Sequence, residues 1–151
     1  NNDAILKGMR SADWPARFQI IMKNPSVILD GGHNPAGIIS LKQTLKFYFP
    51  NEKFIFLVGI LKDKKWQEML KILSSIGKKF IFTQSNNPRS IPPIELAQEM
   101  KKYMKDSMIE TIDNSALAVK RLISIKDTEK RVICGSLYLA GEVLKTLKIR
   151  V

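Results

Sequence analysis

Six consecutive residues, Asp30-Gly31-Gly32-His33-Asn34-Pro35, bring together an acid, two glycines, the chain's single histidine and a pair suited to begin a helix. Asn is a favoured N-cap and Pro fits the first helical position, so His33 falls just ahead of a helix N-terminus. Unpaired N–H groups and the positive end of the helix dipole attract anions there. The glycines remove side chains that would hold a phosphate or a ribose off the backbone, and Asp30 can accept hydrogen bonds from ribose hydroxyls or hold a cationic group. The same residues would also make a plain strand-to-helix turn in which His33 caps or packs. Residue types alone leave both possibilities open.

Other positions carry chemistry of their own. Ser136 follows Gly135 at the start of an apolar helical pattern, where its hydroxyl and the helix's first N–H groups can receive a carboxylate or serve only as an N-cap. Lys62, Asp63 and Lys64 form a charged loop expected near the same cleft. Gly77-Lys78-Lys79 lacks the upstream Gly and the following hydroxyl of a P-loop, so a phosphate cradle of that type is absent from the sequence. Cys134 is the only cysteine, which excludes an internal disulfide and a thiolate zinc site, and no metal site is expected.

These residues need elements to position them. Val27–Leu29, Phe54–Val58, Phe80–Phe82 and Val132–Cys134 are short unbroken apolar runs, the pattern of strands covered on both faces in the middle of a parallel sheet. Met108–Ile112 and Phe18–Met22 read as strands toward the two edges. Between them apolar residues recur at helical spacing: Ile38, Leu41, Leu45, Tyr48; Trp66, Met69, Leu70, Leu73; Leu96, Met100, Met104; Ala116, Val119, Leu122, Ile123; and Leu137, Ala140, Leu144, Leu147. Each set predicts one buried stripe, and its Met and aromatic members are expected to be core filler. Strands alternating with helices give an α/β, Rossmann-like three-layer domain with a mostly parallel central sheet of about six strands flanked by helices. In such a sheet ligands bind beyond the carboxyl ends of the strands, where Asp30, Gly59, Arg89 and Ser136 all fall.

Composition bounds the rest. With 151 residues and 44% hydrophobic content the chain is long enough for one substantial core. The net charge of +11 would suit a polyanion, but the lysines are spread along the sequence in runs no longer than pairs such as Lys64-Lys65. A solvated basic surface is therefore expected, without a nucleic-acid footprint. No segment approaches the roughly 20 apolar residues of a membrane span and no signal peptide opens the chain, so a cytoplasmic protein with no membrane partner is expected.

The motifs resemble, in order, those of folylpolyglutamate and dihydrofolate synthases, members of the Mur ligase superfamily. Trp14-Pro15-Ala16-Arg17-Phe18 is similar to the family's Trp-Pro-Gly-Arg-Phe, with Ala16 in place of Gly. Asp30-Gly31-Gly32-His33-Asn34-Pro35 is similar to its Asp-Gly-Ala-His-Asn-Pro, with Gly32 in place of Ala. Gly59-Ile60-Leu61-Lys62-Asp63-Lys64, Thr83 through Arg89-Ser90, and Gly135-Ser136-Leu137-Tyr138 match three further segments. Ala16 would matter only if its backbone requires positive φ.

The resemblance implies a C-terminal (glutamate ligase) domain over residues 14–151, and residues 1–13 as a linker from an N-terminal P-loop domain. It implies that the C-terminal domain closes over ATP, with Mg2+ held mainly by the P-loop half. Arg17, Asp30, His33 and Asn34 then contact the nucleotide, Asp30 and His33 acting in catalysis, and Ser136 and Arg89 bind the incoming L-glutamate. A guanidinium suits phosphate because it stays charged and forks onto two oxygens. The implied reaction phosphorylates the carboxylate of a folate or dihydropteroate with ATP, after which the glutamate amine attacks the acyl phosphate. The fragment alone is expected to be inactive and the enzyme monomeric. The alternatives are a peptidoglycan Mur ligase with another acceptor and a non-enzymatic basic binding module.

Overall fold

The computed structural model describes residues 16–150. Trp14, Pro15 and the linker assigned to residues 1–13 lie outside them. The described residues form six strands: β1 (Gln19–Met22), β2 (Val27–Leu29), β3 (Phe54–Val58), β4 (Gly77–Gln84), β5 (Ile109–Asn114) and β6 (Arg131–Cys134). Five helices join them: α1 (Pro35–Tyr48), α2 (Trp66–Ser74), α3 (Pro93–Met100), α4 (Ser115–Ser124) and α5 (Leu137–Thr146).

The strands lie in the order β1-β2-β6-β3-β4-β5, with β1 antiparallel and every other neighbouring pair parallel. Both edge strands are the two expected there. Because side chains alternate along a strand, the buried runs divide into two cores. Phe54, Phe56, Val58, Phe80 and Phe82 face α1, α2 and α3, while Ile55, Leu57, Ile81 and Ile133 face α4 and α5. In the first core the Phe56 and Phe80 rings stack at 5.2 Å and those of Phe80 and Phe82 at 5.6 Å. Each such pair adds about 0.5–1.5 kcal/mol beyond area burial. Cys134 is buried in the same core, where desolvation pushes its thiol well above the ordinary range and keeps it protonated.

The order places the site. β6 arrives last and inserts between β2 and β3, and its following helix α5 packs on the face opposite α1 and α2, which follow β2 and β3. Such a switch opens a crevice at the carboxyl ends. The loops after β2, β6, β3 and β4 meet there.

Two expectations need correction, and one condition set by the sequence is met. Leu137, assigned to the buried stripe of the last helix, is 56% exposed because it is the first helical residue and faces the crevice. Met104 lies beyond α3, which ends at Met100, although it still packs on the core. Ala16 does adopt positive φ, at 60°, so its replacement of the family's Gly has a backbone cost. An L-residue loses roughly 1–2 kcal/mol in this region. Glycine would regain that but give up a buried methyl and chain stiffness, so Ala16→Gly should stay within about 1 kcal/mol of the parent. Ala16→Val, β-branched at the same φ, should lose about 2 kcal/mol. Urea denaturation of the pair measures the asymmetry, and equal midpoints would refute it.

Candidate functional site

The loop after β2 is built around Asp30. Its Oδ2 accepts the Phe18 N–H at 3.0 Å and its Oδ1 accepts the Gly32 N–H at 2.8 Å. One carboxylate thus holds the segment before β1 against the glycine turn. A second tie joins the same pieces, the Gly31 N–H donating to the Ala16 carbonyl at 2.5 Å. Burial pushes the Asp30 carboxyl above its ordinary value, while the N–H groups of Gly32 and Phe18 and the charge of Arg17 pull it down. The glycine at 31 answers to packing: a Cβ there would sit 2.5 Å from Leu137 Cδ2 and 3.1 Å from the Ala16 carbonyl oxygen.

His33 and Asn34 behave as the helix start requires. Asn34 is the N-cap of α1, its Oδ1 accepting the Gly37 N–H at 2.7 Å, and Pro35 opens the helix. His33 Nδ1 lies 3.0 Å from the Gly31 carbonyl oxygen. A carbonyl can only accept, so Nδ1 carries the proton and Nε2 is left to act on whatever enters the crevice.

Arg17, Asp30, His33 and Asn34 line one cavity of about 460 Å³. It continues along α1 over Gly37, Ser40, Leu41 and Thr44 and is also lined by Phe18 and Leu137. The α1 residues were missed by sequence reasoning, yet their spacing of three, four and seven from Gly37 marks a helix face continuous with the motif. A second cavity of about 140 Å³ contains Ser136 and Arg89, together with Lys64, Leu61 and Tyr138. His33 and Leu137 belong to both, so the two hollows share a wall.

Ser136 is a working cap. Its Oγ accepts the N–H groups of Tyr138 at 3.1 Å and Leu139 at 3.3 Å, which leaves the hydroxyl proton for a ligand or the protein. Gly135 before it has φ +110°, and its N–H donates to the Gly32 carbonyl at 2.9 Å, locking the β6 loop to the β2 loop. Arg89 has its guanidinium 3.4 Å from Asp63 Oδ2 and 6.0 Å from the centre of the Tyr138 ring. Of the charged loop, Lys64 lines the second cavity; Lys62 does not. Arg17 is exposed, and its charge acts on Asp30.

A guanidinium, an imidazole and a carboxylate around one cavity, with a hydroxyl and two cations around its neighbour, can hold a phosphorylated ligand beside a small carboxylate. Among the described residues no three His, Cys, Asp or Glu side chains are grouped to hold a metal, and no helix is long and apolar enough to cross a membrane.

Comparison with known proteins points the same way. The family described as "Mur ligase, glutamate ligase domain" matches residues 16–137. The chain is 31% identical over 149 residues to the dihydrofolate synthase/folylpolyglutamate synthase of Bacillus subtilis, covering 98% of this chain and 34% of that protein. It is 32% identical over 144 residues to the folylpolyglutamate synthase of Lacticaseibacillus casei, covering 95% of this chain and 32% of the relative. Among solved structures, the bifunctional folylpolyglutamate synthase/dihydrofolate synthase of Yersinia pestis, complexed with AMPPNP and Mn ion, superposes with a TM-score of 0.79 at 27% identity. That match covers 98% of this chain and 35% of the other. The chain therefore spans about a third of the length of the relatives it matches.

Proposed function

Since this chain belongs to the Mur ligase family's glutamate ligase domain, we propose that it is the part of an ATP-dependent folylpolyglutamate synthase that closes over the nucleotide and receives L-glutamate. The observation that carries this is the convergence of Arg17, Asp30, His33 and Asn34 on one cavity that shares His33 with the hollow holding Ser136 and Arg89. The glutamate amine must meet the acyl phosphate where ATP has just delivered its phosphoryl group, and adjoining nucleotide and glutamate sites favour that proximity. The named relatives support folate or dihydropteroate as the acceptor, with dihydrofolate synthesis as a second activity of the same protein.

The residues fit a nucleotide. The larger cavity falls within the usual 300–1,000 Å³ of small-molecule sites. Arg17 supplies a charge that survives at any working pH, suited to phosphate oxygens. Asp30 supplies acceptors for hydroxyl protons, and His33 Nε2 adds a second hydrogen-bonding group. Asn34 fixes the helix start behind them. ATP itself provides the phosphoryl group that activates the acceptor carboxylate. We assign the phosphate cradle and the magnesium ligands to a P-loop domain of the same polypeptide, because this sequence has no P-loop. Ser136 and Arg89 are then placed to hold the glutamate carboxylates, and a soluble cytoplasmic monomer is the form in which we expect the enzyme to work.

The test is ATP-dependent ligation of L-glutamate to tetrahydrofolate or dihydropteroate by the polypeptide that includes the coding sequence upstream of Asn1. The 151-residue chain alone should give no turnover. In the longer polypeptide Arg17→Ala should lower kcat about tenfold or more, as expected when one donor to a transferring phosphoryl group is removed. Turnover with a UDP-linked acceptor and none with a folate would reassign the protein to cell-wall synthesis.

A further inference from the structure

The loops after β3 and β4 are fastened to each other beside the smaller cavity. The Lys62 N–H donates to the Arg89 carbonyl at 2.7 Å, the Ile91 N–H donates to the Ile60 carbonyl at 3.0 Å, and Leu61 and Ser90 form an antiparallel bridge. A turn closed from the Lys64 N–H to the Leu61 carbonyl, at 3.2 Å, holds Asp63 at its tip. The backbone of Asp63, Lys64 and Arg89 is thereby set, and their side chains meet. A single oxygen, Asp63 Oδ2, lies 3.4 Å from Arg89 Nη1 and 3.6 Å from Lys64 Nζ.

Other surface ion pairs, such as Lys78–Glu129 and Lys130–Glu52, lie away from both hollows. In this one Arg89 and Lys64 line the smaller cavity, together with Ser136 and His33. Tyr138, half-exposed in the same wall, lies beneath the Arg89 guanidinium and limits where it can swing.

We propose that Asp63 is an internal stand-in for a ligand carboxylate: it holds Arg89 and Lys64 together while the cavity is empty and is displaced when a carboxylate-bearing ligand enters. One carboxylate cannot saturate the donors of a guanidinium and an ammonium, and both side chains of the Asp63–Arg89 pair are about half exposed, so the ion pair is weak and readily exchanged. The arrangement makes Asp63 a positioning residue that sets a threshold, because an occupant must bring a negative charge to replace the one it removes. The inference rests on the reading of this cavity as the L-glutamate site.

The experiment is an NMR titration of the 151-residue chain with L-glutamate, comparing wild type, Asp63→Asn and Asp63→Asn/Arg89→Gln at low and high salt. Removing the competing charge should tighten L-glutamate binding about twofold to fivefold, and the gain should shrink at high salt and vanish in the double variant. Binding by Asp63→Asn that is absent, unchanged or weaker than wild type would overturn the proposal, as would a gain that persists without Arg89. If the longer polypeptide ligates glutamate to folate while Asp63→Asn fails to bind more tightly, this inference falls and the assigned reaction stands.

Discussion

Gly135→Ala is expected to destabilise the fold by about 3–5 kcal/mol, and to disable the site even in the fraction that remains folded. The residue has φ +110°, a region that costs a residue with a Cβ roughly 1–3 kcal/mol. Space adds to conformation: a Cβ at this position would lie 2.4 Å from the Gly59 carbonyl oxygen and 3.1 Å from Ile60 Cγ1. Gly59 is backbone in the loop directly after a central strand, so it cannot yield as a flexible side chain would, and overpacking of this kind typically costs another 1–3 kcal/mol. Any shift that relieves the clash stretches the Gly135 N–H bond to Gly32 and moves Ser136, so both hollows distort together. Urea denaturation gives the loss, which must exceed about 2 kcal/mol if the φ and the contact are as described.

The second large effect lies at the opposite end of β6. Arg131 is 2% exposed, and its guanidinium serves three backbone carbonyls: Glu129 at 2.6 Å, Leu122 at 3.5 Å, and Ile125. Leu122 and Ile125 belong to the last turn and end of α4, whose final carbonyls have no partner within the helix. One planar group with five donors fastens that end to the sheet. Arg131→Ala leaves these carbonyls buried and unsatisfied, at about 1–3 kcal/mol each before relaxation, so a loss of about 3 kcal/mol is expected. Arg131→Lys should recover only part of it, because an ammonium on a shorter reach cannot bond all three. A loss below about 1 kcal/mol for the alanine variant would mean that water replaces the guanidinium.

Arg131 also shows where the sequence stops being legible. An arginine before Val132-Ile133-Cys134 looks like the solvated start of a strand, and nothing in its neighbours announces two carbonyls from the end of a helix that stops seven residues earlier. The central strands were readable because burial on both faces leaves unbroken apolar runs. The cap at Asn34-Pro35 was readable because capping is local chemistry. Leu137 was misplaced because helical spacing fixes a face but not what that face meets at the first turn. Of the site, Arg17, Asp30, His33 and Ser136 could be named from motifs, and the strand order explains why they gather at one edge. Their division into two adjoining hollows was not visible, since it depends on the Gly135–Gly32 and Ala16–Gly31 hydrogen bonds between loops far apart in the chain. The positive φ of Ala16 was equally hidden, because alanine advertises no backbone preference of that kind.

His33 and Leu137 line both hollows, so on the proposed function the two guests meet the same two side chains. Whatever turns the ring toward one chamber alters the shape of the other, and the influence must run equally in both directions, since the same atoms bound both. On that reading, any coupling between nucleotide and glutamate runs through this wall and changes both affinities by the same factor.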